Sequence, residues 1–219
     1  MKVMKKIVGM VLLMALSLSL VACGGWSEED AKGYVTGVLD SSYKEEFADY
    51  IKYTKKTEAE AKELYDENVQ TVLDEANFAS LGVNAEIEEE LNNVLVAMMK
   101  KAEYKVVEAK KKDKDFEVTV SFKPFQMKID EITSSLEEEL YSRLDVDKIS
   151  EQLLNGEITE DDIQQMGFQI YLEMLQENLE SPTYGEEETM TLHVKLDDNN
   201  VYYVDEAELG ELDSKMFVE

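Results

Sequence analysis

One cysteine, one histidine and one arginine in 219 residues leave few of the usual parts of a catalytic site. With His193 alone, no multi-histidine metal site can be assembled, and a serine hydrolase would have no other base to choose. His193 sits between Thr191 and Lys195 on the polar side of an alternating segment, so an exposed or rim histidine is the plainer reading. A single cysteine excludes an intrachain disulfide, so stability must come from packing. Basic residues are also scarce: 22 lysines and arginines face 49 acids, a net charge of −27. That balance opposes phosphate backbones and excludes nucleic acid as a partner. There is no Gly-rich phosphate loop, no dinucleotide fingerprint and no calcium loop, since Asp197-x-Asn199 runs on to Val201 without the required glycine. No metal and no cofactor is expected. Carboxylates are so frequent that pairs such as Asp161-Asp162 or the run Glu137-Glu138-Glu139 carry little information, and the two facing carboxylates of a glycosidase cannot be read from spacing in sequence.

What is present begins at the first residue. Lys2, Lys5 and Lys6 precede an apolar run from Ile7 to Ala22, and no acid occurs among the first 27 residues. The run is short of the about 20 apolar residues a membrane span needs but suits the apolar region of a secretory signal. It ends in Leu20-Val21-Ala22-Cys23, which resembles the lipobox of bacterial lipoproteins. The resemblance implies a diacylglyceryl group on the Cys23 sulfur, cleavage of residues 1–22, and Cys23 as the mature N-terminus. Two acyl chains hold a protein on a membrane where one holds it only marginally. The competing reading is ordinary secretory cleavage with Cys23 as an incidental thiol. That the chain's only cysteine falls at this position favours lipidation. The mature chain would keep 19 basic against 49 acidic residues, a net charge of −30. Such charge weakens adhesion to anionic lipid beyond the anchor and reads first as solubility in the envelope. Its sharper meaning is a cationic ligand or a basic partner.

Residues 23–26 form a very short tether, in which Trp26 either rests at the membrane interface or begins the fold. Ser27 with Asp30 reads as a capping box for a helix that places Ala31, Tyr34, Val35, Val38 and Leu39 on one side. Gly33 and Gly37 weaken that helix, which points to close approach by another element. Ser41-Ser42-Tyr43 separates it from a second helical stretch, Lys44 to Tyr53. Thr57 with Glu60 opens a third helix, and Asn84 caps a fourth carrying Ile87, Leu91, Val94, Leu95 and Met98. The period then changes. Tyr104 to Ala109, a charged turn from Lys110 to Asp115, and alternating Phe116, Val118, Val120 and Phe122 make an antiparallel hairpin. Helical spacing returns with Ile132, Leu136, Leu140 and Leu144, a stripe open to continuation through Ile149 and Leu153 before Asn155-Gly156. Thr159 with Asp162 caps one more helix. Met190–Leu196 and Val201–Val204 form a second hairpin, and the tail is anchored by Leu209, Leu212 and Phe217.

Segregated helices and antiparallel strands predict an α+β fold: an N-terminal helical layer on a curved antiparallel sheet, with an inserted helical pair between hairpins. Residues 27–219 read as a single α+β domain with 128–181 as a helical insertion. The helical pair at the start (Ala31–Tyr53) and the strands Phe116–Phe122 and Met190–Leu196 resemble the small bacterial lipoproteins with a nuclear transport factor 2-like, or cystatin-like, domain. That resemblance implies a helical layer facing a concave sheet, where such folds hold pockets. Tyr34, Tyr43, Tyr50, Tyr53 and Tyr65 in the helices, with Tyr104, Tyr202 and Tyr203 in strands, would then either line an aromatic ligand site or simply pack the core.

The function expected is a non-enzymatic binding or scaffolding module, anchored through Cys23 to the extracytoplasmic face of the cell membrane. Its partner would be an envelope protein or a small ligand, with no catalytic or ligand-binding residue assigned. The alternative is a pocket enzyme using Asp/Glu and Tyr, which requires a buried carboxylate of raised pKa beside a tyrosine. A solute receptor for a transporter fits the pattern poorly.

Overall fold

The computed structural model describes residues 19–20, as backbone, and 25–218; Cys23 and residues 1–18 and 21–22 of the predicted signal peptide lie outside them. The first helix, α1 (Glu28–Tyr43), opens with the expected capping box. The Ser27 hydroxyl accepts from the Asp30 amide at 3.2 Å, and the Asp30 carboxylate accepts from the Ser27 amide at 3.0 Å. Two donors orphaned at the helix start are thus satisfied. Ser41-Ser42-Tyr43 does not end this helix as the sequence suggests. Both serine hydroxyls turn back onto the Val38 carbonyl, at 2.9 and 2.8 Å, and the helix runs through them. The break falls at residues 44–47, where Glu45 takes φ 59°, so that α2 is the shorter Ala48–Thr54.

α2 lies directly against α1. A Cβ on Gly37 would stand 2.5 Å from the Tyr50 nitrogen and 2.7 Å from the Asp49 carbonyl carbon, and one on Gly33 would overlap the Tyr53 hydroxyl. The two glycines are therefore the contact surface between the helices. α3 (Glu58–Ala76) and α4 (Ala85–Met99) follow, opened by Thr57 and Asn84 as their sequences predict.

The sheet is antiparallel. Its strands are β2 (Glu103–Lys112), β3 (Asp115–Lys123), β6 (Glu188–Leu196) and β7 (Val201–Val204), in the order β7-β6-β3-β2. Ser19–Leu20 adds a two-residue edge strand, β1, on β7. The first hairpin is longer than its sequence suggests, pairing through Lys112↔Asp115 and leaving a two-residue turn with Asp113 at φ 54°. In central β3, Phe116, Val118, Val120 and Phe122 are all buried beneath α1, whose Ala31, Tyr34, Val35, Val38 and Leu39 are buried in turn. A second small sheet joins β4 (Phe125–Gln126), β5 (Thr183–Tyr184) and β8 (Phe217–Val218), with β4 and β8 parallel. It closes the C-terminal helix α8 (Glu206–Met216) onto the body, where Leu209, Leu212 and Phe217 are buried.

Between β4 and β5 stand three helices: α5 (Ile129–Arg143), α6 (Val146–Leu154) and α7 (Glu160–Glu180). The stripe of the first predicted helix does not continue into Ile149 and Leu153. Leu144 is extended, and the Asp145 side chain caps a new helix by accepting from the Lys148 amide at 3.0 Å. α7 packs along α4 and α5 and clamps the loop before α4. Gln165 donates to the Gly82 carbonyl at 2.9 Å and accepts from the Asn84 amide at 2.9 Å. Ile129, Ile132, Ile170, Leu172 and Leu175 belong to the same buried cluster as α1 and β3, whereas α6 contributes no buried residue.

Gly37→Ala is expected to lower stability by about 1–3 kcal/mol despite the better helix former, because the methyl group meets backbone that cannot step aside. Gly210→Ala in α8, where a Cβ meets nothing within 4 Å, is expected to raise it by up to ~1 kcal/mol. Urea unfolding of the two variants beside the parent chain measures both.

Candidate functional site

Five of the eight tyrosines named from the sequence pack the interior, while Tyr53, Tyr104 and Tyr203 are half-buried. Tyr34, Tyr43, Tyr50 and Tyr202 are buried, and so is Tyr65. Trp26 begins the fold: its ring stacks on Tyr202 at 4.4 Å between centroids and meets Tyr34 and Tyr53 edge-on at 5.1 and 5.8 Å. Offset and edge-to-face contacts of this kind are the preferred aromatic geometries. The Tyr34, Tyr53 and Tyr202 rings thus pack against Trp26 rather than line an open site.

An open cleft of about 360 Å³ lies where the end of α1 meets β2 and β3, lined by Lys44, Tyr104, Lys105, Ser121, Lys123 and Glu187 among others. Tyr104 is the single member of the tyrosine set in this lining. Its hydroxyl donates to Asp40 at 2.6 Å. Burial, then the Asp40 carboxylate, pushes its pKa far above the ordinary phenol range. Lys44 completes the cluster, 2.9 Å from the same Asp40 oxygen and 4.5 Å above the Tyr104 ring. Ser121 donates to Glu187, and Lys123 pairs with Glu103 at 3.2 Å. Apart from Lys105, the charged and hydroxyl groups named here answer one another, so a polar ligand reaching them would have to break existing pairs to gain new ones.

Behind the cleft lies the arrangement that the enzyme alternative requires. Tyr43, whose ring is 5.6 Å from that of Tyr104, donates its hydroxyl to Asp213 of α8. Asp213 is 2% exposed, and burial raises its pKa well above the usual carboxylate value. Neither residue lines the cleft. The pair ties α8 to α1 inside the core, next to Phe217.

His193 is half exposed and held by one carboxylate. Glu208 accepts from its backbone amide at 2.6 Å and lies 2.7 Å from Nδ1. Ser121 is four residues along β3 from Glu117, the register partner of His193, or roughly 13 Å away at the rise of a strand. The two are not a nucleophile and its base. Among the described residues no three His, Cys, Asp or Glu side chains come together as a metal site, and no helix is long and apolar enough to cross a membrane.

The feature that sequence reading missed is α6. Val146, Ile149 and Leu153 recur at i, i+3 and i+7, with Leu154 beside them, the pattern of a helix with one apolar face. Spacing alone leaves Ile149 and Leu153 open as a continuation of the preceding stripe. Val146 and Leu153 are instead 45% and 37% exposed, and Leu154 is 88% exposed. Tyr141, near the end of α5, is 65% exposed. Four of the five exposed large apolar side chains among the described residues thus fall within 14 consecutive positions. The signal available in the sequence was Asp145, a helix cap inside what looks like one continuous stripe.

No family model matches the chain, and no curated protein matches it in sequence. A solved structure that is similar is a candidate lipoprotein (ycdA) from Bacillus subtilis subsp. subtilis str. 168, at 18% identity and a TM-score of 0.49. The alignment covers 88% of this chain and 57% of that one, so this chain spans little more than half of the neighbour's length. A likeness at that level carries no statement about activity.

The protonated form of Asp213 is favoured in the folded protein, so its contribution to stability is complete below about pH 4 and declines as pH rises through its elevated folded value. Asp213→Asn keeps an acceptor for Tyr43 and is expected to flatten that decline. Asp213→Ala is expected to cost about 2 kcal/mol by orphaning the buried hydroxyl. Thermal unfolding as a function of pH distinguishes the two.

Proposed function

We propose that this chain is a bacterial lipoprotein, held at the extracytoplasmic face of the cell membrane by acyl chains on Cys23, whose folded body is a non-enzymatic binding or scaffolding module. Residues 27–219 act as one domain in this reading. The frame is that of the nuclear transport factor 2-like, cystatin-like lipoproteins, which the packing of α1 on an antiparallel β7-β6-β3-β2 sheet supports. The observation that carries the binding reading is the concentration of exposed apolar side chains on and beside α6, a helix capped at its start yet without a buried residue. A nine-residue helix has little stability of its own, so an unburied apolar face on one is suited to docking.

The tether follows the same logic. Two residues, Gly24 and Gly25, separate Cys23 from Trp26, and the three Cα steps reach about 11 Å at full extension. With Trp26 seated against Tyr202, Tyr34 and Tyr53, the body would ride directly on the membrane. Cleavage before Cys23 would also remove β1 from the edge of β7. The enzyme alternative has one observation in its favour, the buried Asp213 beside Tyr43, but at 2% exposure the carboxylate has no route to a substrate.

Expressed in a bacterial host, the full chain is expected in the membrane fraction, with a mature N-terminus at residue 23 carrying the added mass of a diacylglyceryl group. Cys23→Ser should lose that mass. Intact-protein mass spectrometry of both chains reads the outcome, and a free thiol at Cys23 in the membrane-bound parent would sink the proposal.

A further inference from the structure

The partner that docks on α6 can be described by its chemistry, and the inference rests on the binding-module reading above. Helical geometry, at 100° per residue, puts Val146, Ile149, Leu153 and Leu154 on one arc of α6, and puts Asp147 and Glu151 next to each other along the border beyond Leu154. The surroundings have the same sign. Residues 128–181 contain fifteen acids against Lys128, Arg143 and Lys148. Arg143 is already committed to α5 and α7, lying 2.7 Å from Glu139, 3.0 Å from Glu173 and 3.5 Å from Glu177. The apolar strip therefore stands in a strongly negative field.

Charge decides between the possible occupants. A second copy of the chain would bring an equally acidic insertion against the first, and like charges facing each other oppose association. An anionic membrane surface would be repelled for the same reason. A basic amphipathic helix satisfies both features at once, its apolar side on Val146, Leu153 and Leu154 and its lysines or arginines over Asp147 and Glu151. We infer that the exposed face of α6 is a docking site for a cationic amphipathic helical segment of a partner protein. Burial of the leucines supplies affinity, while the acidic border selects the partner's charge and speeds encounter.

The test uses the full chain in nanodiscs of zwitterionic lipid and two labelled helical peptides that share a leucine stripe, one with lysine and one with glutamate on the polar side. Fluorescence anisotropy should show the lysine peptide binding and the glutamate peptide not. Leu154→Ser should weaken binding about tenfold or more without changing the unfolding temperature, since that side chain lies in solvent. The double variant Asp147→Asn, Glu151→Gln should reduce the salt dependence. Cys23→Ser should leave binding intact, which separates failure of this inference from failure of the lipid-anchor reading. Equal binding of both peptides, or no loss on Leu154→Ser, overturns the inference. So does absence of binding by the lysine peptide. Leu154-dependent dimerisation without peptide would make a second copy the occupant, and Leu154-dependent capture of added vesicles would make it lipid; either result also overturns it.

Discussion

The interface between α1 and the β2–β3 hairpin is the contact on which the other elements depend. α1 brings Ala31, Tyr34, Val35, Val38 and Leu39, and β3 brings Phe116, Val118, Val120 and Phe122, all of them buried. Each fully buried valine, leucine or phenylalanine here is worth about 1.5–3 kcal/mol relative to exposure, which no surface ion pair approaches. Because β3 is flanked by β2 and β6, fixing its face fixes the face of both neighbours through the ladder, as in Val118↔Leu192 and Phe116↔Val194. The glycines on α1 then allow α2 to approach at backbone distance. The aromatic cluster around Trp26 seals the end where the chain enters.

Charge works against this structure rather than for it. A chain with 49 acids and 22 bases repels itself when compact, and its lysines are deployed where that repulsion is relieved. Lys62 and Lys100 both reach Glu45, at 2.9 and 3.1 Å, and their hydrogen bonds hold its pKa below the usual glutamate value. Lys195 does the same for Asp205 at 2.6 Å, close to the His193–Glu208 pair. These contacts are largely exposed and contribute little each. Their effect is local: they secure the residue-45 turn between α1 and α2, and the start of α8. The insertion, with few basic residues of its own, keeps its negative field.

How far the sequence could be read depended on whether a residue's neighbours were close in sequence. The capping boxes at Ser27, Thr57 and Thr159 need only three residues of context, and all three are present. The alternation in Phe116–Phe122 is likewise local and gave the core face of β3. The end of α1 is not legible locally, because Ser41 and Ser42 have the character of turn residues while their hydroxyls bond the Val38 carbonyl within the helix. The small sheet of β4, β5 and β8 had no local signal, since two-residue strands at Phe125, Thr183 and Phe217 are strands only by virtue of one another. The tyrosines were legible as enriched, yet whether they lined a site or filled a core turned on distances such as Trp26 to Tyr202.

Legible without the fold are the acidic balance, the single cysteine after a lipobox-like stretch, the α+β class, the two hairpins and most of the buried face of each long helix. These follow from composition and period, which tertiary contacts do not alter. Long-range contacts alone reveal that Tyr43 meets Asp213 across 170 positions of chain, that the Tyr34, Tyr53 and Tyr202 rings close on Trp26, and how the insertion divides. Its two outer helices reach the common core while α6 stands apart. An apolar stripe reports that a surface is suited to burial. Whether the chain supplies the covering surface or leaves it to a partner depends on where the neighbouring helices end, and no local pattern encodes that.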